Sequence, residues 1–205
     1  MSGIFITFEG IEGVGKSTLQ KGLAEALEAQ GYSVLLTREP GGTKLGEKLR
    51  DAILSKDHGP VASVTELLIM FAARAQHVEE CIKPALAAGK VVLCDRFTDT
   101  TRAYQCGGRG LPDTWVEQLV EMTHCGLTPD ISFWLDLPVD EALSRAKNRS
   151  EADRIEQETK DFFERAREVY RNLAHAEPRR VIRLNAALLP QTLIEQAMEI
   201  FRERV

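Results

Sequence analysis

The 205-residue chain has only four cysteines and four histidines, and neither type clusters. Cys81, Cys94, Cys106 and Cys125 make no Cys-x-x-Cys pair, and His58, His77, His124 and His175 make no His-Glu-x-x-His motif. Neither structural zinc nor a disulfide framework is therefore expected. No apolar run approaches the length of a membrane span, and no basic-then-apolar leader with a cleavage site opens the chain, so the expected setting is cytoplasmic, away from membranes. Positive charge is not in excess either: Lys and Arg total 26 against 31 Asp and Glu, a net charge of −5. That balance excludes a chain-wide electrostatic grip on nucleic acid or on anionic lipid. Any phosphate this protein holds must be held locally. Linkers, repeats and low-complexity segments are also missing, and 43% apolar residues are ample for a buried core. Residues 1–205 are expected to form one domain.

Short apolar runs alternate with longer helical patterns along the whole chain. Ile4–Glu9, Ser33–Thr37, Val91–Asp95, Ile131–Asp136 and Val181–Leu184 read as strands. Their nearly continuous apolar character, rather than alternation, predicts a parallel sheet covered on both faces, an α/β fold with five strands flanked by helices. Leu19, Leu23 and Leu27 repeat every four residues before Gly31, predicting a helix over 17–30. A second helical stretch runs from Val64 to Ala88, with Pro84 expected to bend it or begin a new segment. Leu193, Ile194, Ala197, Ile200 and Phe201 predict a C-terminal helix. The charged, weakly apolar stretch from Arg145 to Arg154 reads as a mobile loop, with a lid expected over about 145–156.

The strongest motif is Gly10-Ile11-Glu12-Gly13-Val14-Gly15-Lys16-Ser17-Thr18, a complete Gly-x4-Gly-Lys-[Ser/Thr] between a predicted strand and a predicted helix. In that context glycines turn backbone N–H groups toward phosphate oxygens, and the helix N-terminus adds favourable partial charge. Lys16 reaches the β and γ phosphates, and the Ser17 hydroxyl can ligate Mg²⁺. These nine residues are the candidate ATP site of a P-loop NTPase fold. The Asn-Lys-x-Asp element of guanine-specific GTPases is absent, as is the Ser-Gly-Gly-Gln signature of transporter ATPases. Cys94-Asp95-Arg96 closes the third apolar run instead. Asp95 there suits a place near Mg²⁺ and Arg96 suits an anionic substrate, although a strand-end ion pair would look the same.

Five segments in order, FEGIEGVGKST (8–18), TREPGGT (37–43), MFAARAQH (70–77), CDRFTDTTRAYQCGGRG (94–110) and DRIEQE (153–158), resemble bacterial thymidylate kinases. The resemblance implies transfer of the γ-phosphoryl group of MgATP to dTMP, giving dTDP for dTTP synthesis, by a homodimer. It also implies roles. Lys16, Arg96 and a lid arginine, Arg149 or else Arg154, would act on the transferring group. Arg38, Arg96 and Arg50 would grip the dTMP phosphate, with Glu12 near its 3′-hydroxyl. Arg74 would bond thymine O4, Thr101 and Gln105 would read the N3 edge, and Tyr104 would crowd the sugar 2′ position. Ser17 and Asp95 would serve the metal.

The chain departs from the family pattern at three places. Many relatives have phenylalanine four residues before the thymine arginine, whereas this chain has Met70 there and Phe71 at three before, so either could face the base. Gly13 stands where eukaryotic-type enzymes carry a P-loop arginine. Asn185-Ala186 replaces the usual Asp-Ala of the loop flanking adenine. Two other readings stay open on residues alone: a kinase for another nucleoside monophosphate, and a nucleotide-dependent switch or partitioning ATPase.

Overall fold

The five apolar runs become five parallel strands in a computed structural model that describes residues 3–57, 59–147 and 153–204. They are β1 (Ile4–Glu9), β2 (Val34–Arg38), β3 (Val91–Asp95), β4 (Ile131–Asp136) and β5 (Val181–Asn185), in the order β2-β3-β1-β4-β5. β4 is buried along its whole length and β3 along all but its last residue, as strands covered on both faces must be. One face packs on α1 (Lys16–Glu28) and α9 (Pro190–Arg204), where Leu19, Leu23 and Leu27 meet Ala197 and Phe201 in the main core. On the other, Phe5, Val92 and Phe97 pack with Val78 and Ile82.

The remaining helices are α2 (Lys44–Leu54), α3 (Ser63–His77), α4 (Lys83–Ala87), α5 (Thr98–Thr101), α6 (Asp113–His124), α7 (Val139–Lys147) and α8 (Lys160–Ala176). The helical stretch expected over 64–88 is divided. Between α3 and α4 the backbone widens into a π-helical segment, Val78–Ile82, which ends two residues before Pro84. Proline lacks an N–H and its ring crowds the carbonyl four residues back, and a wider turn accommodates both. A second π-helical segment, Arg102–Gly108, follows α5. Its Gly107-Gly108 pair lets α8 approach: a Cβ on Gly108 would strike the Phe162 ring, and Arg165 donates to both glycine carbonyls at 3.1 and 2.7 Å.

The first three residues of the loop expected from Arg145 are helical instead. Arg145 and Lys147 form the last turn of α7, where the helix dipole favours cations, so their charge does not mark a break. Residues 148–152, Arg149 among them, lie outside the described residues. Among the described residues no helix is long and apolar enough to cross a membrane.

Parallel register brings the functional segments level. Phe8 and Arg38 are both paired with Asp95, so the carboxyl ends of β1, β2 and β3 finish side by side. The chain continues directly into the P-loop after β1, Glu39-Pro40 after β2 and Arg96 after β3. A crevice beyond the carboxyl ends of such a sheet is where α/β proteins place ligands.

Candidate active site

Two adjoining cavities open at that crevice. The first, about 230 Å³, is walled by the P-loop residues Glu12, Gly13, Gly15, Lys16 and Ser17 together with Arg38, Arg50, Asp95 and Arg96. Lys16 starts α1 with its side chain almost wholly buried, and its Nζ donates to the Ile11 carbonyl at 2.8 Å. Burial, with Arg96 adding repulsion, pushes its pKa down to about 8. Ser17 Oγ donates to Asp95 Oδ2 at 2.7 Å, which places both expected metal residues together. Gly13 adopts φ +75°, and a Cβ there would collide with the Ala142 carbonyl of α7. A P-loop side chain at this position is thus excluded by the packing of α7.

Arg96 forms the wall between the cavities. Its backbone is left-handed, φ 73°, an unusual state for a residue with a Cβ. The guanidinium donates to the Gly10 carbonyl at 2.8 Å, to Thr100 Oγ1 and the Tyr104 hydroxyl at 3.3 Å, and to Glu12. Arg38 stands at the rim, half-exposed, donating to Glu47 at 2.8 Å. Arg50 donates to the Pro40 carbonyl at 2.9 Å and lines both cavities. Three guanidinium groups therefore surround one space in front of the P-loop.

The second cavity is an apolar slot with a polar end. Met70, Leu54, Phe97, Pro40 and Ile155 give its apolar walls, and Arg74, Thr101, Tyr104 and Gln105 line it too. Arg74 is 3% exposed and lies over the rings of Phe71 and Phe97, 4.7 and 5.2 Å from their centroids. Its Nε donates to Glu39 Oε2 at 2.5 Å and its Nη2 to Thr101 Oγ1 at 2.9 Å. Its Nη1 is buried with no partner. Such a donor is costly to leave unmade, and points to a ligand acceptor. Tyr104 is buried edge-on against Phe162 and Phe163.

Not every expected residue reaches these cavities. Met70 lines the slot, whereas Phe71 turns into a small core with Leu67 and Val116 and stacks on His124. Phe71 supports the far side of Arg74 instead of offering its ring to the cavity. Arg154 is held away from the P-loop, donating to the Ile53 carbonyl at 2.9 Å and to Glu66 at 2.5 Å. Val14 is buried in the main core, and Thr18 is exposed in the first turn of α1 and lines neither cavity. Asn185 Oδ1 accepts from the Ala187 N–H at 3.1 Å, and Arg145 donates to the Ala186 carbonyl at 3.0 Å.

Several site residues were not anticipated. Glu39 orients Arg74 and also contacts His77 Nδ1 at 2.9 Å. Burial alone would raise its pKa, but Arg74 and His77 hold the carboxyl below its ordinary value. Glu39 lies inside the Arg-Glu-Pro turn, and a buried arginine's need for an acid was the available signal. Glu66, on α3, carries no such local mark.

A buried lysine at a glycine-rich strand-to-helix turn, facing a cluster of arginines with an apolar slot beside it, defines a P-loop nucleotide-binding protein with a second anionic substrate. A sequence model of the thymidylate kinase family matches residues 8–197. The chain is 50% identical to thymidylate kinase of Acinetobacter baylyi over 96% of its length and 97% of that protein's. It is 53% identical to thymidylate kinase of Pseudomonas syringae pv. tomato, covering 91% and 89% of the two chains. The crystal structure of thymidylate kinase from Ehrlichia chaffeensis superposes with a TM-score of 0.80 at 32% identity, covering 98% and 99%. The chain belongs to the thymidylate kinase family.

Proposed function

We infer that this chain transfers the γ-phosphoryl group of ATP to the phosphate of dTMP, making dTDP for nucleotide biosynthesis. The observation that carries this reading is that the P-loop chamber shares Glu12, Glu39, Arg50 and Arg96 with a slot lined by Arg74, whose buried Nη1 has no partner in the protein. A triphosphate on the P-loop and a base carbonyl on Arg74 would place an acceptor phosphate between Arg38, Arg50 and Arg96.

The chemistry asks for positioning and charge. A phosphate monoester, with its second pKa near ~6, is already mostly dianionic at pH 7 and needs no general base. The difficulty is holding two anions in contact, which the three guanidinium groups, Lys16 and P-loop N–H groups ease. Glu12, bonded to Arg96, fixes that arginine between the two substrates. Arg149 is the lid arginine we assign to the transferring group.

Magnesium fits the residues present. Ser17 Oγ and Asp95 Oδ2 are adjacent oxygen donors of the kind a hard cation takes. Among the described residues no group of three or more His, Cys, Asp or Glu side chains could hold a metal ion, so the phosphates and water would complete its shell. Bound there, the ion would neutralise charge on the β and γ phosphates. We also propose a homodimer: Val64 and Leu68, one turn apart on α3, and Trp115 and Met122 on α6 leave large apolar groups exposed on contacting helices.

The test is ADP release from MgATP with dTMP, dUMP, CMP, AMP or GMP offered separately. Selective turnover of dTMP supports the reading. Turnover of AMP or GMP without dTMP sinks it, and ATP turnover indifferent to every monophosphate points to a switch protein.

A further inference from the structure

The side chain of Glu66 is 1% exposed and does not line the slot, yet four donors converge on it. Arg109 donates through Nε and Nη2 at 3.1 Å, Arg154 through Nη2 at 2.5 Å, and Gln105 through Nε2 at 2.8 Å. We propose that Glu66 is the residue that makes the site choose a 4-keto pyrimidine over a 4-amino one, by locking the Gln105 amide in one orientation. The proposal rests on reading the slot as the base subsite.

An ionised carboxylate can only accept hydrogen bonds. Burial alone would raise the Glu66 pKa, but bonds from Arg109, Arg154 and Gln105 hold it below the ordinary value, so the ionised form persists. The Gln105 atom facing Glu66 must then be the amide nitrogen. Flipping the amide would set its carbonyl oxygen against the carboxylate, lone pair to lone pair, and forfeit a charge-assisted bond. Two guanidinium groups anchor Glu66 so that it cannot turn to follow such a flip. Gln105, 2% exposed at the slot wall, keeps Oε1 as its side-chain acceptor, and in this proposal Oε1 is the atom turned to the base.

Beside it stands Arg74, whose Nε and Nη2 are committed and whose Nη1 is not. The slot thus shows a base edge one donor, from Arg74, and one acceptor, from Gln105. A keto group at position 4 with N–H at position 3 is the complement of that pair. A 4-amino pyrimidine presents the reverse, a donor against Arg74 and a lone pair against Gln105 Oε1. Only a flipped Gln105 could accommodate the second atom, and Glu66 forbids the flip. Sites that leave buried polar groups unpaired against the wrong ligand discriminate strongly.

The experiment compares kcat/KM for dTMP and dCMP, with MgATP, in the wild-type protein, in Glu66→Gln, and in the exchange variant Glu66→Gln/Gln105→Glu. The amide in Glu66→Gln can pair with either end of Gln105, so the dTMP/dCMP ratio should fall about tenfold, the scale of one hydrogen bond. In the exchange variant the new amide donates to the new carboxylate, whose other oxygen again faces the base as an acceptor, and the ratio should return to within about threefold of wild type. Loss of packing alone would lower both substrates together and leave the ratio unmoved. A folded Glu66→Gln protein with the wild-type ratio overturns the assignment. So does a folded exchange variant that lacks dTMP preference, which decides the matter if the single variant fails to fold. A wild-type protein without preference for dTMP overturns the reading of the slot instead, and the two failures are distinct.

Discussion

Arg74 Nε and Glu39 Oε2 are joined at 2.5 Å with both side chains 3% exposed, so the arginine assigned to the base is itself held by a fully buried acid. Taking one partner of such a pair away leaves an uncompensated charge in a medium that cannot solvate it, at a cost of about 3–5 kcal/mol. Glu39→Gln should therefore lower the thermal midpoint by on the order of 10 °C for a chain of this size. Glu39→Gln combined with Arg74→Met should recover part of that loss while abolishing dTMP selectivity. Thermal melts of the two variants check this. A single variant as stable as wild type would show that the pair contributes nothing to the fold.

Lys16 offers a prediction with a definite sign. Its pKa is pushed down to about 8 by burial and by Arg96, and a bound triphosphate favours its charged form. Above pH 8 the free protein has lost that proton and must take it up to bind ATP, so the KM for ATP should climb with pH, approaching tenfold per unit. Calorimetry in buffers of different ionisation enthalpy should register proton uptake at pH 8.5. An ATP KM that stays flat from pH 7 to 9.5 would refute the depressed value.

The strands were legible because buried parallel strands are written locally, as short apolar runs between turn signals, and β1, β3 and β4 match the expected runs residue for residue. The P-loop was legible for the same reason, since one continuous segment carries its chemistry. Helix interiors were harder. The π-helical break before Pro84 depends on how a missing donor is absorbed, and the last described turn of α7 holds two basic residues that suit a helix terminus and read in the sequence as the start of a loop. The slot was least legible. Met70 and Phe71 are neighbours on one helix, and only the packing of α3 against α6 turns Phe71 inward toward Val116 and His124. Glu66 looks like any helical acid, and its four donors come from segments 39 to 88 residues away.

The left-handed backbone of Arg96 gives an unusual comparison of small side chains. A Cβ in that region costs about 1–2 kcal/mol, which glycine does not incur. Arg96→Gly and Arg96→Ala lose the same contacts to Gly10, Thr100 and Glu12. Both should lose about 10²–10³ in kcat if Arg96 stabilises the transferring group. In urea, however, the glycine variant should be the more stable by about 1 kcal/mol, the reverse of the ordinary ranking. Equal midpoints would mean that the backbone relaxes once the side chain is gone.

Glu9 should make the fold weaken toward alkaline pH. It is fully buried at the end of β1, accepting from Thr100 through Oε2 at 2.6 Å, with Oε1 unpartnered. Burial, and then the charge of Asp99, push its pKa up from 4.5 to about 8. Between those values the folded protein holds a proton that the unfolded chain has released, so unfolding free energy falls as pH rises, and the contribution is spent above pH 8. Other groups overlap this window. His77, raised from 6.5 to about 9 by hydrogen bonds to Cys81 and Glu39 that outweigh its burial, adds a fall over that range. His124, lowered from 6.5 to about 4 by burial and Arg74, adds a rise between those values, and Lys16 adds a rise above about 8. The difference between wild type and Glu9→Gln removes those shared slopes. Denaturation from pH 5 to 9 should show the variant gaining on wild type steadily up to pH 8 and then running parallel. A difference that does not change with pH would place Glu9 in its ionised form throughout, and the buried acid at the mouth of the P-loop would have to find its compensation in Arg96.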